Sequence, residues 1–257
     1  MEEITLASAV FEKDYKVILN NLYSKKHFAD NNKLFAARML IINNVNNSDC
    51  IEHMLREISV KPIDVYYSKE VEQEIFPSWG ITRESFYRID KNPINMLRYV
   101  KNKRRLPYGL CKYDGYWYSI APMTAIMKCK TKWLLYITGD ASLENYQWVD
   151  KAQELMSRDK SILAANPLWI EHFSHLTYKG GGEEWVWGDN FSDQCFLVNV
   201  NQIRNIKGLL NEKNEKTEQE YPYYGGNCFE RRVGAYMRNH NLKRIINTKE
   251  FYSCRDF

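Results

Sequence analysis

A carboxylate follows a short apolar run near the middle of the chain. In the segment TKWLLYITGDASLENYQWVD, residues 131 to 150, the apolar run Trp133–Ile137 is followed directly by Thr138, Gly139 and Asp140. Ligands bind to open α/β sheets at the carboxyl ends of the strands, so Asp140 is a candidate ligand of a metal ion or of a phosphate-bearing molecule. Gly and Asp also end strands in ordinary turns, and that interpretation stays open.

Further acids lie at or just before the start of two other predicted elements. Glu230 stands near the start of GGNCFERRVGAYMRNHNLKRI, residues 225 to 245, where a helical pattern opens after two glycines. An acid in the first turn of a helix is favoured by the helix dipole alone, without any catalytic role. Asp189 and Asp193 come just before the strand-like run that begins at Cys195. A turn with an Asx cap is the alternative interpretation for this pair.

The bulk composition is that of an ordinary globular protein. Of the 257 residues, 26% are charged and 44% are hydrophobic, with a formal net charge of +4 at pH 7. This composition excludes a disordered chain, and the mild positive charge is compatible with an anionic substrate or with peripheral membrane association. It does not call for a nucleic acid, and we expect no nucleic-acid partner.

Cysteine usage and apolar runs point to a cytoplasmic protein. The six cysteines form no CxxC pair and have no ligand-like spacing with the five histidines, which argues against a zinc site. No apolar run reaches the length of a membrane span, and the first residues lack the apolar core of a signal peptide. The expectation is a reduced, cytoplasmic protein.

Apolar patterns in the first part of the chain alternate between the two common periods. Strand-like runs occur at 4–11, 35–43 and 63–68, with helical patterns at 15–28 and 48–58. This βαβαβ order predicts a parallel sheet with right-handed crossovers, flanked by helices. The acid at position 140 would then follow a later strand of the same sheet.

The alternation continues beyond residue 68 with weaker patterns. A helix is expected over 117–130, with Pro122 in its first turn, and it leads into the strand that Asp140 ends. The absence of an internal repeat or a linker-like segment predicts one continuous domain, 1–257. The remaining expectations are a helix over 144–159, a strand over 161–170, a glycine-rich loop over 178–194, a strand and turn over 195–206, and a final helix and strand over 225–247.

This order of elements resembles a GT-A-type glycosyltransferase, in particular the inverting family 2 enzymes. The segment IINNVNNSD, residues 41 to 49, is similar to the family segment in which an Asp after the second strand receives the nucleotide. The resemblance assigns that role to Asn43 or Asn44, which keep a hydrogen-bonding side chain without the charge. It also places Ala7 and Phe11, in and after the first strand, at the nucleotide.

The segment YITGD resembles the Asp-x-Asp motif of the same family, with Thr138 in place of the first acid. The resemblance assigns Asp140 to a Mn²⁺ or Mg²⁺ ion that neutralises the charge of the diphosphate leaving group. Thr138 and Gly139 would line the donor site, and Asp114 would approach the donor sugar. The loss of one acid implies weaker metal retention, or a metal held mostly by the nucleotide.

The family carries a Glu-Asp pair at the head of a helix, and one acid of that pair remains here as Glu230, ninety positions after Asp140. By resemblance Glu230 is the general base that deprotonates the acceptor hydroxyl. Asp193 is the rival base. The same region would provide acceptor contacts through Trp187 and Asp189.

The resemblance implies transfer of a sugar from a nucleotide-diphosphate sugar to a hydroxyl of a glycan or lipid-linked acceptor, with inversion, as in polysaccharide biosynthesis. Residues 1–142 would form the nucleotide-sugar-binding half and residues 143–257 the acceptor-binding half. A nucleotidyltransferase is the first alternative, although the segment 10–16 lacks the glycine-rich loop of that class. The second alternative is a noncatalytic nucleotide- or glycan-binding protein.

Overall fold

Four parallel strands form one side of the central sheet. They are β1 (Ile4–Val10), β2 (Phe35–Ile42), β3 (Asp64–Tyr67) and β4 (Trp133–Ile137), in the spatial order β3-β2-β1-β4. The structure is a computed structural model that describes residues 2–11, 15–21, 34–43, 45, 48–58, 63–80, 114–143, 145–170, 178–211 and 228–254. Every residue of β1 and β4 is buried, which explains why both appear in the sequence as unbroken, mostly apolar runs.

The other side of the sheet is mixed. Strand β9 (Cys195–Asn199) lies antiparallel between β4 and β6 (Ile162–Trp169), and β10 (Lys243–Cys254) lies parallel to β6. The short strand β5 (Ala141–Leu143) pairs antiparallel with the end of β10. The hairpin of β7 (Gly180–Gly181) and β8 (Trp185–Gly188) extends the sheet beyond β10.

Helices cover both faces of the sheet and create two apolar clusters. One cluster joins α1 (Tyr15–Asn21), α2 (Ser48–Glu57) and α5 (Trp148–Arg158) to the β4 side chains Trp133, Leu135 and Ile137. The second cluster joins α3 (Ser68–Ser78), α4 (Asp114–Lys128) and α7 (Phe229–Asn239) to Leu134 and Tyr136, on the opposite face of the same strand. The short helix α6 (Val200–Arg204) follows β9 directly.

The predicted α/β class, with a mostly parallel central sheet flanked by helices, is confirmed. Strands β1 to β4, β6 and β10 share one direction, and β9 runs against them. No helix in the described part of the chain is both long enough and apolar enough to span a membrane.

Several local predictions are corrected by the structure. Pro122 lies in the interior of α4 rather than in its first turn, since the helix begins at Asp114. Helix α5 begins at Trp148 rather than at residue 144, because residues 141–143 pair with β10 as a strand. The glycine-rich segment is not a loop throughout, because β7 and β8 lie within it. Helix α3 was not expected from the weak pattern after residue 70, and the second half of the predicted helix 15–28 lies outside the described residues.

Candidate functional site

Asp140 lies in a tight turn at the carboxyl end of β4. The turn is closed by a hydrogen bond of 3.1 Å from the Ala141 amide to the Thr138 carbonyl. The chain then continues into β5, so β4 cannot extend past Ile137 without losing the pairing of β5 with β10. The segment therefore forms the turn expected from its Gly-Asp sequence and also places a partly buried carboxylate at the sheet edge.

The antiparallel strand β9 brings Asp193 to the same edge. Ile137 pairs with Cys195, and the Thr138 amide donates a hydrogen bond of 2.8 Å to the carbonyl of Gln194. This register fixes the residues just before β9 against the turn that carries Asp140. Two acids that are far apart in the sequence thus become neighbours through strand pairing.

Helix α7 supplies the third acid. Glu230 lies in the first turn, and the backbone N–H of Phe229 donates a hydrogen bond of 2.8 Å to the hydroxyl of Ser119 in α4. The first N–H groups of a helix have no partner within the helix, so this buried hydroxyl acts as a cap from a remote element. It ties the start of α7, and hence Glu230, to the helix that leads into β4.

A chain of aromatic rings lies beneath the three acids. Tyr136 stacks on Phe196 with ring centroids 5.0 Å apart, Phe196 contacts Phe191 at 5.0 Å, and Phe191 meets Phe229 edge-on at 5.6 Å. Tyr136 precedes the Asp140 turn, Phe191 and Phe196 flank Asp193, and Phe229 precedes Glu230. Aromatic pairs of this kind add to the burial of apolar area, so this floor holds the acid-bearing segments in fixed relation.

Asp193 interacts electrostatically with both of the other acids. Burial raises the pKa of Asp193 well above its usual range, and the charges of Glu230 and Asp140 raise it further. Burial also raises the pKa of Glu230, but the guanidinium groups of Arg244 and Arg231 oppose that effect. Because the two carboxyls interact, the pair favours one protonated carboxyl and one carboxylate.

Two neighbouring groups respond to the same negative charge. Tyr136 is fully buried beneath the acids, and its pKa is raised well above the usual range by burial and then by Asp193 and Asp140. Burial raises the pKa of Cys228 to about 12, with further contributions from Glu230 and Asp193. Cys228 is therefore a neutral thiol rather than a reactive thiolate at physiological pH.

The residues around Asp140 fit a divalent cation that is shared with a ligand. The Thr138 hydroxyl oxygen, at the same turn, is buried and has no hydrogen-bond partner. Among the residues that the structure describes, no group of three or more His, Cys, Asp or Glu side chains has the arrangement of a metal site. Mg²⁺ is commonly bound by one or two carboxylates together with substrate phosphates, and Asp140 matches that donor set.

The residues expected at the nucleotide differ in how deeply they are buried, and some lie outside the described part of the chain. Phe11 follows β1 and is partly buried against the apolar cluster. Ala7 lies in the middle of β1 with no exposed surface, so its side chain packs in the core and the prediction of a ligand contact is not supported for it. Asn44 lies outside the described residues, and Asp114 is the first residue of α4, with its side chain outside the described part.

Asn43 serves the fold rather than an open site. Asn43 has no exposed surface. Its backbone N–H donates a hydrogen bond of 2.9 Å to the Val10 carbonyl, and its side-chain oxygen accepts a hydrogen bond of 2.8 Å from the Ser68 hydroxyl. These contacts join the ends of β1 and β2 to the start of α3. The side-chain oxygen that the family resemblance assigned to a nucleotide therefore accepts a hydrogen bond from within the protein.

The predicted acceptor contacts lie on the edge hairpin. Trp187 pairs with Ile245 of β10, whose side chain belongs to the cluster on the face opposite Tyr136. Because strand neighbours alternate between faces, Trp187 lies on the other face of the sheet from Arg244, which acts on Glu230. The register therefore places Trp187 and Arg244 on opposite faces, and the acceptor role of Trp187 stays a prediction. Asp189 forms an ion pair with Lys179 across the hairpin.

The sequence-based prediction missed Arg244, Asn190 and Ser119. Arg244 is buried in β10, and one of its terminal nitrogens donates a hydrogen bond of 2.8 Å to the side-chain oxygen of Asn190. A signal was present, because an arginine followed by two isoleucines in a predicted strand implies a charge with a buried partner. Ser119 gave no such signal, since its role depends on the contact between α4 and α7.

Comparison with known proteins places this geometry in a structural class. No protein-family model matches the chain, and no curated protein matches it in sequence. The crystal structure of GalNAc-T7 with UDP, GalNAc and Mn²⁺ matches with a TM-score of 0.54 and 9% identity, over 99% of this chain and 44% of that chain. This protein therefore spans less than half the length of that structure.

Two further structures match with lower scores. Glucosyl-3-phosphoglycerate synthase from Mycobacterium tuberculosis, in complex with Mn²⁺, UDP and phosphoglyceric acid, has a TM-score of 0.48 and 7% identity over 100% of this chain and 72% of that chain. The mannosyltransferase Ktr4p from S. cerevisiae in complex with GDP has a TM-score of 0.46 and 14% identity over 94% of this chain and 66% of that chain. The sheet order, with antiparallel β9 between β4 and β6, and the match to GalNAc-T7 together show that the chain has the GT-A fold.

Proposed function

We propose that this protein transfers a sugar from a nucleotide-diphosphate sugar to a hydroxyl group of a glycan or lipid-linked acceptor, with inversion at the sugar carbon. The observation that carries the proposal is the convergence of Asp140, Asp193 and Glu230 at the end of β4 in a GT-A fold. The GalNAc-T7 structure of the same fold contains UDP, GalNAc and Mn²⁺. Residues 1–142 are proposed to receive the nucleotide sugar and residues 143–257 the acceptor.

Asp140 is the proposed protein ligand of Mn²⁺ or Mg²⁺. When bound, the cation neutralises negative charge on the departing diphosphate. The buried and unpartnered hydroxyl of Thr138 is the proposed donor of a hydrogen bond to a phosphate oxygen at the same turn. These two side chains hold the leaving group at the sheet edge.

Glu230 is the proposed general base. A sugar hydroxyl is a weak nucleophile, and a carboxylate must accept its proton as the bond to the sugar forms. Both acids are partly buried; the guanidinium groups of Arg244 and Arg231 favour the charged form of Glu230, and Arg231 also favours that of Asp193. Asp193 is proposed as the second candidate base in the same site, and its pKa is raised well above the usual range by burial and by the neighbouring acids.

The proposal is tested by measuring sugar transfer and donor hydrolysis across a panel of nucleotide sugars in the presence of Mn²⁺. With an active donor identified, Glu230→Gln is expected to lower kcat by about 10²- to 10⁴-fold while nucleotide binding is retained. Glu70→Gln is a matched control, because Glu70 is an exposed acid in the first turn of α3. Equal activity of Glu230→Gln and the wild type would contradict the assigned role.

The same panel separates the alternatives. Binding of UDP or GDP without turnover of any donor sugar would favour a noncatalytic nucleotide-binding protein. Release of pyrophosphate from a nucleoside triphosphate in the presence of a sugar phosphate would favour a nucleotidyltransferase.

A further inference from the structure

Arg244 is a buried arginine that forms no ion pair in the described part of the chain. Its side chain is 3% exposed, and the ion pairs among the described residues all join other side chains. Burying a guanidinium is costly unless a paired anion stabilises it. Arg244 therefore lacks the counter-ion that a buried arginine normally has.

The hydrogen bonds of Arg244 also leave a donor unused. One terminal nitrogen donates a hydrogen bond of 2.8 Å to the side-chain oxygen of Asn190, which is a neutral acceptor. The Nε group is buried and has no hydrogen-bond partner among the described residues. A guanidinium presents its N–H donors in a planar fork that binds two oxygens of a carboxylate or phosphate at once. The unmet donor and the unpaired charge both suit an oxyanion.

The other arginines with buried contacts differ from Arg244 in this respect. Arg204 donates hydrogen bonds to the carbonyl oxygens of Ile126, Met127 and Cys129 at the end of α4. Arg232 is 8% exposed and donates to the Leu210 carbonyl. Both side chains therefore fix the backbone of another segment, whereas the printed partner of Arg244 is a single side-chain amide.

Asn190 links the guanidinium to the candidate site. It lies three residues before Asp193 in the segment that leads into β9. A Cβ atom at Gly234 would lie 3.8 Å from the Asn190 Cα, so α7 packs on this segment. Gly234 is one helical turn after Glu230, on the same face of α7. Arg244 thus bonds a residue that lies between the Asp193 segment and the helix of the proposed base.

The guanidinium lies just beneath the surface. Gly188 is opposite Arg244 across the β8–β10 pair and has no side chain that could cover it. Asn190, which accepts the hydrogen bond, is exposed. A ligand at the Asn190 side chain is therefore next to the guanidinium.

Resting on the proposed function, we propose that Arg244 and Asn190 bind an oxyanion of the acceptor, a phosphate or a carboxylate group. The acceptor hydroxyl reaches Glu230 while a second group of the same molecule reaches Arg244, since α7 and the Asn190 segment are in contact. The oxyanion supplies the missing counter-ion. An uncharged acceptor leaves the buried guanidinium unpaired, so the site discriminates against it.

The binding of three sugars tests this without any transfer activity. Glucose 6-phosphate, glucuronate and uncharged glucose are titrated into the protein, and the dissociation constants are measured by NMR. At least one of the charged sugars is expected to bind about tenfold more tightly than glucose, and the better of the two identifies the oxyanion as phosphate or carboxylate. Equal affinity for all three sugars would overturn the proposal.

Two pairs of variants assign the preference to Arg244. Arg244→Gln is expected to bind the three sugars equally, whereas Arg232→Gln is expected to lower the melting temperature and keep the preference. Asn190→Asp places a carboxylate where Arg244 already donates a hydrogen bond, so it is expected to abolish the preference by supplying the counter-ion internally. Asn211→Asp adds the same charge at another exposed position and is expected to keep the preference.

Asn190→Asp keeps the test decisive if Arg244→Gln does not fold. A charge preference that persists in Arg244→Gln, or in Asn190→Asp where Arg244→Gln is unfolded, would overturn the role of Arg244. Loss of the preference in Arg232→Gln or Asn211→Asp as well would also count against it, because the effect would then not be specific to this residue.

UDP with Mn²⁺ separates an acceptor site from a donor site. The charged sugar is expected to bind equally well in the presence of saturating UDP and Mn²⁺. Competition between them would assign Arg244 to the diphosphate of the donor and overturn the acceptor role. A preference that depends on Arg244 in a protein that binds no nucleotide and transfers no sugar would support the oxyanion site and reject the proposed function.

Discussion

Asp193, just before β9, and Glu230, in the first turn of α7, bring two carboxyl groups into one partly buried environment at the end of β4. The charge of Glu230 raises the cost of ionising Asp193, and burial raises the cost of ionisation for both acids. An arrangement of this kind destabilises the folded chain and persists where the carboxyls have a use. It gives the protein a pH dependence of stability that can be measured without a substrate.

Asp193→Asn is expected to stabilise the protein at neutral pH. A carboxyl whose pKa is raised in the folded state binds more protons there than in the unfolded chain, so stability falls as the pH rises above the unfolded pKa. Removing the carboxyl removes that loss. The melting temperature of Asp193→Asn should exceed that of the wild type by roughly 3 °C at about pH 8, with the gap closing toward about pH 5.

Thermal unfolding followed by circular dichroism across this pH range provides the measurement. Asp150→Asn serves as the control, since Asp150 is an exposed acid in the first turn of α5 and its replacement should leave the pH dependence unchanged. If the melting temperatures of Asp193→Asn and of the wild type differ by the same amount at every pH, the pKa of the Asp193 carboxyl is not raised in the folded state.

Asp140→Asn is expected to weaken metal-dependent nucleotide binding. The side chain is the one carboxylate of the β4 turn, and an amide is a much poorer ligand for a divalent cation. Calorimetry with UDP and GDP should show about a tenfold or greater loss of affinity in the presence of Mn²⁺ and little change in its absence. Full retention of the metal effect in Asp140→Asn would remove Asp140 from the site.

Thr138→Val separates a ligand-binding hydroxyl from a structural one. The hydroxyl oxygen is buried without a hydrogen-bond partner, so replacing it with a methyl group should leave the free energy of unfolding unchanged or raise it by about 1 kcal/mol. Affinity for a nucleotide diphosphate, measured by calorimetry, should fall several-fold.

Thr124→Val is the comparison for this substitution. The Thr124 hydroxyl donates a 2.7 Å hydrogen bond to the Ile120 carbonyl within α4, so its loss should lower stability slightly and leave nucleotide affinity unchanged. Reduced stability together with unchanged affinity in Thr138→Val would show that the hydroxyl serves the fold.

Ser119→Ala is expected to disturb the position of the base. The substitution leaves the buried N–H of Phe229 without its acceptor, which costs about 1 to 3 kcal/mol in the free energy of unfolding. Since this hydrogen bond fixes the start of α7, kcat should fall more than nucleotide affinity does.

Denaturant unfolding and steady-state kinetics test this together. Ser78→Ala is the control, because its hydroxyl donates to the Ile75 carbonyl within α3, away from α7. Equal kcat in Ser119→Ala and Ser78→Ala would mean that α7 keeps Glu230 in place without this cap.

Sequence patterns alone predict the strands β1, β2, β4 and β6 and the likeness to the GT-A class. Strands that are buried on both faces contain few polar positions, so their apolar runs are visible without any tertiary information. The turn that ends β4 was equally visible, because Gly139 and Asp140 interrupt such a run. Helix α3 escaped notice because its apolar positions are few and Pro77 lies within it.

Strand register and helix packing establish which of the candidate residues lie near one another. The antiparallel register of β9 on β4 brings Asp193 beside Asp140, and the packing of α7 on α4 brings Glu230 to the same edge. The register of β8 on β10 places Trp187 and Arg244 on opposite faces of the sheet. Period and composition encode local conformation and burial, whereas register and helix packing arise from contacts between residues far apart in the chain, and these contacts assemble the site.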